Sequence, residues 1–164
     1  MALAGMDTVY LETTIVSFLV ARPSRDLIVA AHQQLTREWW ERRRAMFSCF
    51  ISQVVIEEAA VGDAGQAARR LDELRDLPQL VASAQAEALA AAFLQRCLPP
   101  KAARDAAHLA IATTGHVKYL LTWNCNHLAN AQILDQLEPV AVAAGLRLPR
   151  VCTPEELMGI GSYE

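Results

Sequence analysis

Apolar residues along this chain fall into two rhythms. Short runs rich in aromatic and branched side chains, V-Y-L at 9–11, M-F-S-C-F-I at 46–51 and Y-L-L-T-W at 119–123, read as buried strands. Two fainter runs, Q-L-V-A at 79–82 and R-L-P-R-V at 147–151, read as short strands, the second at a sheet edge where proline is tolerated. Between them, apolar residues recur at three- and four-residue steps, which predicts helices. Thr13 or Thr14 can cap the first helix, which Pro23 breaks; Ser24 can cap a second, reaching about residue 45. Further helices are expected at 53–61 after Ser52, 66–75, 83–98, 101–114 closing on Gly115, and 127–145. Strands alternating with helices of this length predict an α/β protein, a three-layer sandwich with a mainly parallel central sheet, formed as one domain over residues 1–164.

Composition narrows the class without naming a function. Hydrophobic residues make up 53% and charged residues 20% of the 164, so a packed core rather than a disordered chain is expected. A formal net charge of −3 argues against a surface that attracts nucleic acid everywhere, but leaves room for local basic patches at Arg37, Arg42, Arg43 and Arg44, or at Arg69 and Arg70. The cysteines Cys49, Cys97, Cys125 and Cys152 are too scattered for a zinc ribbon or a disulfide framework and read as reduced thiols. The opening M-A-L-A-G-M-D has no basic segment followed by a long apolar one, and no apolar run approaches a membrane span. A cytoplasmic protein without membrane contact is the expectation.

The acids are more informative than their number. In open parallel sheets, ligands collect beyond the carboxyl ends of the strands, where strand order reverses. Glu12 ends the first strand, Glu57 and Glu58 lie on the helix after the second, Asp105 opens a later helix, and Asn124 directly follows Y-L-L-T-W. Glu12, Glu58 and Asp105 each sit among aliphatic residues and alanines, so their charges need a partner if they are buried. Converging carboxylates repel one another, and an oxygen-loving dication such as Mg²⁺ or Mn²⁺ compensates them.

The stretches L-E-T-T, I-S-Q-V-V-I-E-E-A-A-V-G, R-D-A-A-H-L-A-I-A and Y-L-L-T-W-N-C-N-H-L, in this order over residues 9–131, resemble the PIN domain family of metal-dependent nucleases, which includes VapC-type toxins. The resemblance implies that Glu12, Glu58 and Asp105 hold Mg²⁺ or Mn²⁺, with Glu58 preferred to Glu57 because Gly62 follows it by four. It implies that Thr14, Thr122 and His108 orient the acids or water, and that Asn124 stands where many members carry a further acid. It also implies hydrolysis of an RNA phosphodiester, a small antitoxin protein as partner, and a homodimer. Arg42, Arg43 and Arg44 are candidates to track the RNA backbone. Two positions depart from the family: Glu12 replaces an aspartate with a longer arm, and Asn124 keeps an oxygen but cannot act as a base.

Plainer readings stand beside these. Glu12 can cap a helix, Asp105 can pair with Arg104 or Lys101, Asn124 can close a turn, and His108 can be a core histidine with satisfied nitrogens. His127 near Cys125 lacks two further ligands at zinc spacing. Arg42–44 can be a solvated helix face, and Trp39 and Trp40 packing residues. The competing function is a catalytically impaired PIN-like domain that binds RNA or protein. A phosphorylated response-regulator-like switch fits less well, because no aspartate ends a strand.

Overall fold

The computed structural model describes residues 5–160. Residues 1–4, part of the segment expected to carry no leader, and residues 161–164 lie outside the described residues. Five parallel strands form one sheet: β1 (Asp7–Leu11), β2 (Phe47–Ser52), β3 (Gln79–Leu80), β4 (Tyr119–Leu121) and β5 (Arg150–Cys152), in the order β3-β2-β1-β4-β5. Every pairing is parallel, with Val9 opposite both Cys49 and Tyr119. The helices are α1 (Thr13–Val20), α2 (Leu27–Arg42), α3 (Gln53–Ala59), α4 (Ala64–Leu74), α5 (Ala84–Arg96), α6 (Ala103–Thr114) and α7 (Ala131–Ala143). Among the described residues, no helix is long and apolar enough to cross a membrane.

The strand order dictates the layers. From β1 the chain steps outward to β2 and β3, then crosses back over β1 to β4 and β5. Right-handed crossovers running in opposite directions place their helices on opposite faces. Accordingly α1 packs on α2, α3 and α4, whereas α5 packs on α6 and α7. Both faces of β1 are therefore covered, and Val9, Tyr10 and Leu11 are fully buried. The switch in strand order falls between β1 and β4, so a crevice is expected beyond the carboxyl ends of those two strands.

The local starts and stops differ from the sequence expectation in instructive ways. Asp26, rather than Ser24, caps α2, accepting from the amides of Ile28 and Val29, while the Ser24 hydroxyl accepts from the Asp26 amide. Ser52 stands at the start of α3 but makes no cap bond, because its hydroxyl serves buried Tyr10. The helix expected from residue 127 begins at Ala131, capped by Asn130, since residues 122–130 form a tight loop closed by bonds from Leu128 and Ala129 to the Asn124 carbonyl.

The end of α6 assigns its strain unexpectedly. Gly115 keeps an ordinary φ of −77°, and His116 takes the left-handed conformation at φ 53°. The amide of Val117 bonds the Ala112 carbonyl and that of His116 bonds Thr113, which together close the helix in the pattern usually completed by glycine. A side chain at Gly115 would come within 2.7 Å of the Leu80 side chain, so glycine is used there for close approach. His116→Gly should therefore raise stability by about 1 kcal/mol, because an L-residue in the left-handed region is strained. Urea denaturation of the two proteins would show it, and an unchanged or lower midpoint would contradict it.

Candidate functional site

Glu12 leaves β1 at the switch point. Its amide still donates to the Leu121 carbonyl of β4, at 3.0 Å, so the two strand ends are tied together where the side chain turns inward. Glu12 is almost fully buried, and one of its oxygens, Oε2, accepts three bonds. They come from the Thr14 amide at 3.1 Å, the Thr14 hydroxyl at 2.5 Å and the Thr122 hydroxyl at 2.7 Å. No donor among the described residues reaches Oε1.

Glu58 approaches from α3. Its Oε1 accepts from the Thr13 hydroxyl at 2.9 Å and faces His108 Nε2 at 2.5 Å. Adjacent threonines thus serve different acids: Thr13 reaches Glu58 and Thr14 reaches Glu12. Glu57, the second choice from sequence, is exposed and accepts a hydrogen bond from Gln53. Burial alone would raise the Glu58 pKa, but the bond and charge of His108, the Thr13 hydroxyl and the charge of Arg104 together hold it below the usual carboxylate range.

Behind Glu58 runs a buried polar chain. His108 is fully buried on α6, with Nδ1 2.7 Å from the Tyr10 hydroxyl, which is in turn 2.7 Å from the Ser52 hydroxyl. Glu58, kept ionised, only accepts, so Nε2 carries a proton. Nδ1 and the Tyr10 hydroxyl then share one hydrogen bond, and the Tyr10 and Ser52 hydroxyls share another. Burial pushes the Tyr10 phenol far above its ordinary value, so it stays a donor. Each partner is satisfied, as an apolar interior requires.

Glu12, Glu58 and His108 bring one potential ligand atom apiece within 4.8 Å of one another. Asp105 lies one turn before His108 on α6, but its Oδ2 is bonded to Nδ1 of His127 at 2.7 Å, rather than to Arg104 or Lys101. The His127 amide donates to the Asn124 side-chain oxygen at 3.1 Å, and the Asn124 amide donates to Thr122 at 2.9 Å. Asp105 and Asn124 are thereby joined through the β4–α7 loop to the threonine that holds Glu12. The plainer sequence reading of Asp105, a pair with Arg104 or Lys101, is replaced by this bond to His127, a residue that sequence reasoning weighed only as a zinc ligand; the N-x-x-H spacing from Asn124 was the available signal. The parts played by Tyr10, Ser52 and Thr13 left no signal, because each depends on a contact between distant segments.

The three arginines expected to track a substrate lie elsewhere. α2 carries the chain back to the amino ends of the strands, so Arg42, Arg43 and Arg44 immediately precede β2, at the opposite end of the sheet from the acids. Arg43 donates to the Leu157 carbonyl, and Arg44 lies 4.5 Å from the centre of the Trp40 ring.

The chain matches no family model and no curated protein.

The donor set suits a dication. At Glu12, Glu58 and Asp105 one carboxylate oxygen is engaged by the protein while the other meets no donor among the described residues, whereas both ring nitrogens of His108 are already bonded. Two consequences can be checked in metal-free protein. Tyr10→Phe removes the donor to His108 and the partner of Ser52, and should cost about 1–3 kcal/mol in a urea titration. For Glu58, whose pKa is lower folded than unfolded, the stabilisation is present above the unfolded value and is lost as pH falls through the folded one. Wild type should therefore lose more stability than Glu58→Gln between pH ~6 and pH ~3, the range spanning the ordinary glutamate pKa. Parallel curves would refute the assigned direction.

Proposed function

We propose that the chain is a metal-dependent endoribonuclease resembling the PIN domain family. The observation that carries this reading is the convergence of Glu12, Glu58 and His108 within 4.8 Å at the carboxyl edge of a parallel sheet, with Asp105 one helical turn away. Glu12, Glu58 and Asp105 would hold Mg²⁺ or Mn²⁺ through the oxygens that no protein group engages. The chemistry supplied by a bound dication would be shielding of the scissile phosphate and activation of water. Thr14 and Thr122 fix the Glu12 carboxylate, while Thr13 and His108 fix that of Glu58, so neither acid needs to reorganise when substrate arrives. Asn124 contributes through the backbone it holds, since its oxygen is committed to the His127 amide. The small antitoxin partner and the homodimer are proposed from the family resemblance alone.

A second reading, an RNA- or protein-binding domain that has lost catalysis, is favoured by one contact. His108 already hydrogen-bonds Glu58 without an ion.

Metal binding and cleavage separate the two. Titration calorimetry should show wild type binding Mg²⁺ or Mn²⁺, because the free ligand atoms are carboxylate oxygens. With either metal, a mixed structured RNA should be cleaved by wild type, and Asp105→Ala should lower the rate at least about 100-fold. Absence of both Mn²⁺ binding and cleavage in antitoxin-free wild type would leave the binding-domain reading.

A further inference from the structure

The acids gather at the carboxyl edge of the sheet, and the opposite edge carries a concentration of cations. At the amino ends of β4 and β5, a cavity of about 400 Å³ is lined by His116, Val117, Lys118, Arg147, Leu148 and Arg150. Lys118 is paired, its ammonium 2.8 Å from each carboxylate oxygen of Asp7. Among the described residues, no acid lies within ion-pair distance of Arg147 or Arg150, and neither guanidinium donates a hydrogen bond. Both arginines are exposed, whereas Val117 is buried and Leu148 half-buried beneath them.

The backbone holds this group in place. The Arg150 amide donates to the Lys118 carbonyl at 2.9 Å, and the Lys118 amide to the Thr8 hydroxyl at 2.9 Å, so two cationic residues are fixed side by side across adjoining strands. Pro149 stiffens the link between Arg147 and Arg150. His116 enters the cavity wall from the left-handed position that closes α6, the one non-glycine residue with positive φ among those described. Like charges gathered in a protein of net charge −3 repel one another until an anion joins them.

We propose that this cavity is a second contact surface for single-stranded RNA, with Arg147 and Arg150 taking backbone phosphates. The guanidinium forks match phosphate oxygens, and the Val117–Leu148 floor offers an apolar rest for a sugar or base. Since a strand rises by about 3.3 Å per residue, the cavity lies roughly 15 Å from the acids. β5 is the edge strand, so a strand of RNA leaving the crevice beside β4 can round that edge without crossing the protein. The choice of RNA rests on the nuclease reading; the excess of unpaired cations does not.

The test is fluorescence anisotropy of a labelled mixed-sequence single-stranded RNA, in EDTA to prevent cleavage, across a series of salt concentrations. Three proteins are compared: wild type, Arg147→Glu/Arg150→Glu, and Arg25→Glu/Arg96→Glu. The last makes the same change in net charge at exposed positions outside the cavity. The cavity variant should bind about tenfold or more weakly near 100 mM salt, with the slope of log affinity against log salt reduced by about 1.4, or about 0.7 for each phosphate that an arginine no longer neutralises. Arg147→Gln/Arg150→Gln should fall between it and wild type, and thermal melts should show all variants folded. Equal weakening in the two charge-reversed proteins would overturn the proposal, as would an unaffected cavity variant or a wild type that binds no RNA. Loss of binding confined to the cavity variant, in a protein that cleaves nothing when given metal, would reject the nuclease and retain this surface.

Discussion

Glu12 holds a carboxylate almost out of reach of water, and three donors from Thr14 and Thr122 meet on one of its oxygens. A charge in that position is tolerable only when the surrounding polar groups replace the water it has lost. The carboxyl edge is organised around that requirement. α1 must begin immediately after Glu12 so that the Thr14 amide faces back towards it, and β4 must end at Leu121 so that Thr122 can turn inward. The Thr14 hydroxyl also accepts from the Trp123 amide at 2.8 Å, which binds the loop after β4 to the helix after β1. One buried acid thereby couples the two strands that flank the switch in sheet order.

Glu58 is held by a different device. Its support comes from the core through His108, Tyr10 and Ser52, contributed by α6, β1 and β2. The chain ends on the carboxylate, which only accepts. Side chains so arranged lose little freedom when a ligand binds, because packing has already fixed their rotamers. The arrangement also leaves Oε2 of Glu58 and Oε1 of Glu12 as the oxygens without protein donors. Removing any internal member would leave its neighbour buried and unpaired, so stability and site geometry depend on the same bonds.

The layering and the strands were readable because they follow from periodicity. V-Y-L, M-F-S-C-F-I and Y-L-L-T-W are continuous apolar runs, and only a strand covered on both faces by helices requires them. The positions of Glu12 and Glu58 followed from the rule that parallel sheets present ligands at their carboxyl ends. Partner choice was less accessible. Asp105 is closer in sequence to Arg104 and Lys101 than to His127, yet a residue 22 positions away occupies its oxygen, because the β4–α7 loop folds back over α6. Ser52 has the sequence marks of a helix cap, but a buried phenol claimed its hydroxyl, an interaction that sequence proximity does not reveal. The run Arg42–44 was visible as charge, but its end of the sheet depended on the length and direction of α2. α6 ends on Gly115 as its sequence suggests, but the left-handed residue that follows is His116, and Gly115 itself is required by crowding from Leu80.

The separation of charge along the strands bears on how a polyanion could be handled. A phosphodiester brought to the crevice would meet Glu12, Glu58 and Asp105 as like charges. At about 4 Å and an effective dielectric of ~20, each unscreened pair opposes approach by about 4 kcal/mol. Acids arranged in this way can position a dication, but they cannot recruit RNA by themselves. Attraction has to come from cations far enough away that they do not neutralise the acids. A strand's length along one sheet provides that distance, and it keeps Arg147 and Arg150 outside ion-pair range of the acids. Parallel strand topology supplies the separation directly, because it sends one set of loops to the carboxyl edge and the other set to the amino edge.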